Sequence, residues 1–141
     1  MNIYAESSAV LGWLLGEETG YSVREVLRRA ERVMASALTL LECNRVLIRA
    51  VMLGEIDEAA AADRRAHLHA EAAHWHLWRV SSDIVGRASH PFRAEPMRTL
   101  EAIHLASALP VRSTVPGVEL LSLDDGIRKA GEQLAFRLQP E

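Results

Sequence analysis

The sequence contains a single cysteine, Cys43, so no disulfide can form within the chain. A lone thiol is typical of proteins kept in a reducing compartment, and we expect a cytoplasmic protein. No apolar run is long enough to cross a bilayer. The first residues also lack the basic segment and long apolar stretch of a secretory signal. We therefore expect no membrane association.

A strong charge of one sign is also lacking. The formal net charge is -3 at pH 7, so the chain as a whole does not attract nucleic acid electrostatically. Lys129 is the only lysine, and the other fifteen of the 16 basic residues are arginines. Arginine grips phosphate with a two-pronged fork, so this bias is compatible with phosphate binding, although genomic base composition can produce the same bias.

Internal repeats, low-complexity segments and linkers are absent, and we expect one domain over residues 1–141. The predicted strands are 2–5, 32–36, 76–80 and 118–123, with a short edge strand at 136–138. The predicted helices are 8–16, 22–31, 39–53, 57–75, a helix opened by residues 81–82, 99–109 and 124–134. This alternation predicts an α/β fold, a three-layer α/β/α sandwich with a central parallel sheet.

Two helix limits rest on local signals. Ser22 followed by Glu25 three residues later is a capping-box pattern, which predicts that the second helix begins near residue 22. Pro110 predicts that the helix over 99–109 is followed by a loop.

Four acidic residues fall where a parallel sheet would bring them together. In open α/β sheets, ligands bind beyond the carboxyl ends of the strands. Carboxylates crowded there repel one another, and a bound cation such as Mg²⁺ usually compensates for this repulsion. Two such ions about 4 Å apart can activate a water and stabilise the leaving oxygen in phosphodiester cleavage. Glu6 closes the first strand, and Glu42 opens the helix after the second strand. Glu101 lies in the first turn of helix 99–109, and Asp124 follows strand 118–123.

Each acid also has a purely structural interpretation. Glu42 completes a capping-box pattern over residues 39–42, in which its carboxylate would only satisfy a backbone donor. Residues 122–125 form a similar pattern, in which Asp125 caps the helix and Asp124 stays free. Glu101 near a helix start is favoured by the helix dipole alone.

Four segments carry a more specific signal: IYAESSAVLGWLLGE (3–17), ASALTLLECNRVLIRA (35–50), RTLEAIHLASAL (98–109) and LLSLDDGIRKAGEQLAF (120–136). With these segments, in this order, the chain resembles the PIN-domain family, especially the VapC-like toxins of bacterial toxin–antitoxin pairs. The resemblance covers most of the chain. It implies a small α/β/α fold with a central parallel sheet.

The resemblance also implies a Mg²⁺- or Mn²⁺-dependent endoribonuclease whose acidic quartet is Glu6, Glu42, Glu101 and Asp124. Ser8 and Ser122 occupy the family's two hydroxyl positions near the first and last acids. The implied partners are an RNA substrate, a small antitoxin that fills the active-site groove, and a second copy of the chain in a homodimer.

The quartet residues are expected to divide the work. We expect Glu6, Glu101 and Asp124 to contact the metal. Glu42 would be a ligand through water, or a base that orients the attacking water.

The sequence departs from the family at two acids, because the first and third positions usually hold aspartate and here hold Glu6 and Glu101. Each glutamate adds a methylene group, which pushes the carboxylate outward, whereas Mg²⁺ demands near-ideal octahedral geometry. This departure leaves a second hypothesis open, a catalytically weakened PIN-like RNA-binding or regulatory module. A phosphatase-like or DNA-cutting enzyme that uses the same acids is a third.

Several histidines invite other interpretations. His67 and His74 lie two helical turns apart, about 10 Å by the helical rise, which is too far to share one zinc ion. We therefore expect their helix to present a solvated or partner-facing surface. His104, one turn after Glu101, either touches phosphate or is a hydrogen-bonded structural histidine.

The remaining candidates are equally open. Arg98 either holds a scissile phosphate or lies on the surface. Trp75 and Trp78 either stack with bases or pack in the core or a dimer interface. Cys43 has no identifiable base to activate it, so we expect a small buried side chain.

Overall fold

The computed structural model describes residues 1–141. Five strands form one parallel sheet in the order β3-β2-β1-β4-β5. The strands are β1 (Asn2–Ala5), β2 (Arg32–Ser36), β3 (His76–Trp78), β4 (Val118–Leu121) and β5 (Leu138–Gln139). The helices are α1 (Ser7–Leu14), α2 (Gly20–Arg29), α3 (Ala37–Met52), α4 (Glu58–Ala72), α5 (Ser82–Ala88), α6 (Thr99–Thr114) and α7 (Asp125–Gln133). None of these helices combines the length and apolar character needed to cross a membrane.

The side chains of β1 alternate between two hydrophobic cores, one on each face of the sheet. Ile3 and Ala5 pack with residues of α1, α2, α3 and α4. Tyr4 packs on the opposite face with residues of α5, α6 and α7. Because a strand sends successive side chains to opposite faces, a buried central strand needs apolar residues on both sides. The predicted α/β sandwich with a central parallel sheet is confirmed.

Two helix limits predicted from local signals are wrong. α2 begins at Gly20, and Ser22 bonds back to the Thr19 carbonyl instead of capping the helix. Pro110 lies inside α6, which continues to Thr114. A proline inside a helix costs about 3 kcal/mol, and burial of apolar side chains beyond it, such as Val111, offsets that cost.

Gly20 permits the close approach of α2 to α1. A Cβ atom at this position would lie 2.2 Å from the carbonyl oxygen of Gly12 and 2.7 Å from its carbonyl carbon. Both atoms belong to the backbone of α1, so a side-chain rotation cannot relieve the clash.

We predict that Gly20→Ala lowers the free energy of unfolding by about 1–3 kcal/mol, because the two helices must move apart. Gly86→Ala in α5 is the matched control, since a Cβ there meets no atom within 4 Å. The control should gain about 0.5–1 kcal/mol from helix propensity. Urea denaturation measures both values, and equal stability of the two variants would contradict this packing account.

Candidate functional site

The four predicted acids lie at the carboxyl edge of the sheet. Glu6 follows β1 directly, and Asp124 comes three residues after the end of the adjacent strand β4. The chain leaves β1 toward β2 on one side and returns as β4 on the other, which makes this edge a topological switch point. One cavity of about 480 Å³ opens here, and its lining includes Glu6, Ser7, Ser8, Glu42, Arg98, Glu101, His104 and Asp124.

Glu6 is a buried carboxylate, 4% exposed, held by hydroxyl groups rather than by a cation. Its Oε2 accepts hydrogen bonds from Ser8 Oγ at 2.5 Å and Ser122 Oγ at 2.8 Å. Its Oε1 accepts from the Ser8 backbone N–H at 3.0 Å, and Ser7 Oγ lies 3.1 Å away. These four donors match the roughly four lone-pair sites of a carboxylate. Both predicted hydroxyl residues, Ser8 and Ser122, therefore contact the first acid.

Glu42 and His104 form a second close polar pair in the cavity. His104 Nε2 lies 2.5 Å from Glu42 Oε1 and 2.8 Å from Ser7 Oγ. Ser7 Oγ in turn lies 3.0 Å from Glu42 Oε1. Ser7 thus links His104 and Glu42 to Glu6, and no sequence pattern predicts this link. The hydrogen-bonded structural histidine is the alternative that the contacts support.

The capping interpretation of Glu42 is wrong. α3 begins at Ala37, and its N-cap is Ser36, whose hydroxyl accepts from the Leu38 N–H at 3.1 Å. Glu42 therefore lies in the second turn, where the backbone N–H groups already bond within the helix.

The capping interpretation of the last acid holds, but for a different residue. Asp124 is the N-cap of α7 and accepts from the Ile127 N–H at 2.8 Å. Asp125 is the first helical residue. The predicted pattern, in which Asp125 caps the helix and Asp124 stays free, is therefore wrong. One oxygen of Asp124, Oδ1, makes this capping bond.

Glu101 turns back toward the start of its own helix. Its Oε2 accepts from the Arg98 N–H at 3.1 Å, and its Oε1 lies 3.5 Å from Arg98 Nε. The Arg98 side chain is 90% exposed and stands at the rim of the cavity. An exposed ion pair of this kind contributes little stability, about 0–1 kcal/mol.

The donor set around the cavity suits a hard divalent cation, because carboxylate and hydroxyl oxygens are the ligands that Mg²⁺ and Mn²⁺ prefer. The side chains are not arranged as a finished ligand group. No set of three or more His, Cys, Asp or Glu side chains in the chain is grouped closely enough to hold one ion. Each acid is instead hydrogen-bonded within the protein, to a hydroxyl, a helix start or His104.

The acids create a negative field at this edge of the sheet. Burial, with added repulsion from the Glu42 and Glu6 charges, raises the pKa of the Cys43 thiol to about 12. Burial is also the main cause that raises the pKa of the Tyr4 phenol, and the same two carboxylates add to it. Cys43 is fully buried, as predicted, and a thiol with this pKa does not supply a thiolate nucleophile at neutral pH.

The remaining aromatic and histidine residues lie outside the cavity. Trp75 and Trp78 are partly buried and pack against the two cores, which confirms the packing alternative. The His67 ring lies 4.9 Å from the Trp13 ring.

Comparison with known proteins places this chain among well-defined relatives. The sequence model of the PIN domain matches residues 3–133. Ribonuclease VapC46 of Mycobacterium tuberculosis (strain ATCC 25618 / H37Rv) is 34% identical over 134 residues, which are 95% of this chain and 93% of that protein.

Solved structures share the fold at low sequence identity. The crystal structure of VapC20 from Mycobacterium tuberculosis, described as a Sarcin-Ricin loop cleaving toxin, aligns with a TM-score of 0.68 and 16% identity over 92% of this chain and 95% of that one. VapBC2 from Rickettsia felis, bound to a DNA fragment from its promoter, aligns with a TM-score of 0.65 and 7% identity over 99% and 98% of the two chains.

Ser8 offers a test of the hydroxyl groups around Glu6. Its Oγ donates to Glu6 Oε2 and accepts from the backbone N–H groups of Leu123 at 2.9 Å and Asp124 at 3.1 Å. We predict that Ser8→Ala lowers the free energy of unfolding by about 1–3 kcal/mol, because Glu6 Oε2 loses a donor and the Leu123 N–H loses its acceptor. Urea denaturation measures this loss.

Ser113→Ala is the matched control. The Ser113 hydroxyl bonds to a backbone carbonyl of its own helix on the exposed surface. The control should change stability by less than about 0.5 kcal/mol. If Ser8→Ala is as stable as this control, the hydroxyl contacts do not stabilise Glu6.

Proposed function

This chain belongs to the PIN-domain family, in its VapC-like branch, and we propose on that premise that it is a metal-dependent endoribonuclease. The observation that supports the proposal most is the convergence of four acids from four elements on one cavity at the carboxyl edge of the sheet. RNA as the substrate is supported by the names of the relatives, a ribonuclease and a toxin that cleaves the Sarcin-Ricin loop.

The residues that would hold Mg²⁺ or Mn²⁺ are Glu6, Glu101 and Asp124. When bound, the ion would neutralise phosphate charge and lower the pKa of a water molecule. Ser7 has a single proton to donate, and Glu42 Oε1 lies as near to its hydroxyl as Glu6 Oε1 does. When that proton goes to Glu42, one lone pair of Glu6 becomes free to serve as a ligand.

Glu42 would orient the attacking water or accept its proton. The water attacks the phosphorus in line with the leaving oxygen, and the family pattern gives a 5′-phosphate and a 3′-hydroxyl as products. Arg98 stands at the rim with an exposed guanidinium group, which suits a contact with a substrate phosphate. Ser8 and Ser122 keep Glu6 in place through their hydroxyl groups.

We predict that Glu42→Gln and Asp124→Asn each lower the rate of RNA cleavage at least about 100-fold, because each removes a charge needed in the transition state. Cleavage by the wild-type protein should require Mg²⁺ or Mn²⁺ and stop with a chelator. The assay follows a structured RNA by gel electrophoresis. Glu132→Gln, an exposed acid on α7, is the control and should keep full activity. Cleavage that survives in the two site variants would identify a contaminating nuclease.

A specific observation also favours the second candidate, a catalytically weakened module that acts by binding RNA. Glu6 accepts hydrogen bonds from two serine hydroxyls, and Glu101 and Asp124 each cap a helix. All three expected ligands therefore already have partners within the protein. The double variant Glu6→Asp and Glu101→Asp restores the usual family residues. If the wild-type protein cuts no RNA and the double variant does, this second candidate replaces the first.

The proposed role as a toxin includes protein partners. A small antitoxin would neutralise the protein by filling the acidic cavity. The fold likeness to the toxin–antitoxin complex from Klebsiella pneumoniae supports this proposal. That alignment has a TM-score of 0.61 and 15% identity over 86% of each chain. The single free thiol, Cys43, supports a cytoplasmic location.

We also propose a homodimer that buries the outer face of α3. Leu41, Ile48 and Met52 are 57%, 42% and 79% exposed, and their spacing places them on one face of the helix. An exposed apolar stripe of this kind is typical of an interaction surface.

We predict that Met52→Glu shifts the protein from dimer to monomer, because it places a charge in the apolar contact. Light scattering during size-exclusion chromatography measures the mass. Lys129→Glu is the control, because Lys129 is exposed on α7, which packs against the opposite face of the sheet. A monomeric wild-type protein, or an unchanged mass in Met52→Glu, would contradict the proposed interface.

A further inference from the structure

Only one of the two ring nitrogens of His104 makes hydrogen bonds in the acidic cavity. The residue is 2% exposed and comes three residues after Glu101 on α6. Nε2 makes both of its close polar contacts, to Glu42 Oε1 and to Ser7 Oγ. Nδ1 is buried and has no hydrogen-bond partner. The contact with Glu42 and Ser7 is therefore the only hydrogen-bonding contact of the ring.

The direction of the hydrogen bond follows from the chemistry of the partners. An ionised carboxylate only accepts, so Nε2 carries the proton that is donated to Glu42 Oε1. Such charge-assisted bonds are stronger than bonds between neutral groups.

The second oxygen of Glu42 is left free. Both contacts of the carboxylate, from His104 and from Ser7, end on Oε1, and no group of the chain donates to Oε2. The Glu42 side chain is 22% exposed and lines the cavity. Oε2 is thus the atom of Glu42 that can accept a hydrogen bond from a water molecule.

We propose that His104 is a positioning residue, which fixes Oε1 of Glu42 so that Oε2 is held ready for the attacking water. The inference rests on the proposed function, because it assigns a purpose to this pair within the same cavity. A free glutamate side chain has three rotatable bonds, and fixing one oxygen removes most of that freedom. A displacement of about 1 Å in such a group can cost about 100-fold in rate.

Two substitutions at this position separate positioning from packing. His104→Leu fills a similar volume and has no donor, whereas His104→Gln carries an amide N–H that can reach the place of Nε2. We expect His104→Leu to lower kcat about 10- to 100-fold with KM for RNA within about twofold of the wild-type value. His104→Gln should recover most of the kcat. Urea denaturation checks that both variants are folded.

The results that would overturn the inference are equally definite. An unchanged kcat in folded His104→Leu would show that Glu42 needs no support from His104. Equal losses of kcat in the two variants would show that packing of the ring, and not its N–H, matters. A change confined to KM would assign His104 to substrate binding instead.

A second measurement tests the contact in metal-free protein and needs no activity. In ¹⁵N-labelled wild-type protein at neutral pH, the proton on His104 Nε2 should give a far-downfield resonance, which moves upfield in Glu42→Ala. Absence of this shift would overturn the inference. If the resonance shifts upfield in Glu42→Ala while the wild-type protein cuts no RNA, the proposed nuclease function is wrong. The hydrogen bond from His104 to Glu42 is then still supported.

Discussion

The whole site depends on keeping a negative charge buried at the end of the central strand. Glu6 has no cationic partner, and its carboxylate is stabilised by three serine hydroxyls and one backbone N–H. An unpaired charge at this depth would cost several kcal/mol, so these donors are a condition for the fold as well as for the site. Ser8 and Ser122 then link the start of α1 to the loop after β4.

This arrangement explains how the chain accommodates glutamate at an unusual place. The longer side chain turns back onto the N–H of the second residue after it, as an N-cap does, and still reaches the hydroxyl beyond β4. Glu101 uses its extra length in a similar way, by reaching back to the start of its helix. Both glutamates thus have partners within the protein, and a metal ion would have to compete with those partners for the carboxylates.

Most of the fold was predictable from the sequence. β1 and β2 were predicted at their observed limits, because in each a run of three apolar residues is followed directly by a helix signal. Pro110 and Ser22 misled the helix limits, since tertiary packing outweighed a local signal in each case.

The identity of the four acids was predictable from the sequence, but their hydrogen-bond partners were not. The alternation of strands and helices brings Glu6, Glu42, Glu101 and Asp124 to one cavity, and that much follows from topology. Which acid caps a helix depends on backbone angles at one residue, so Asp124 and Asp125 could not be told apart in advance. The contact between His104 and Glu42 joins α6 to α3 across 62 residues, and no local pattern encodes it.

The central claim is that this acidic cavity binds a divalent cation. Calorimetric titration of Mn²⁺ into metal-free protein tests it most directly, with Glu101→Gln as the comparison. The account predicts saturable binding by the wild-type protein and an affinity at least about tenfold lower in the variant. Absence of binding heat at millimolar Mn²⁺, or equal affinity in the two proteins, would contradict the account.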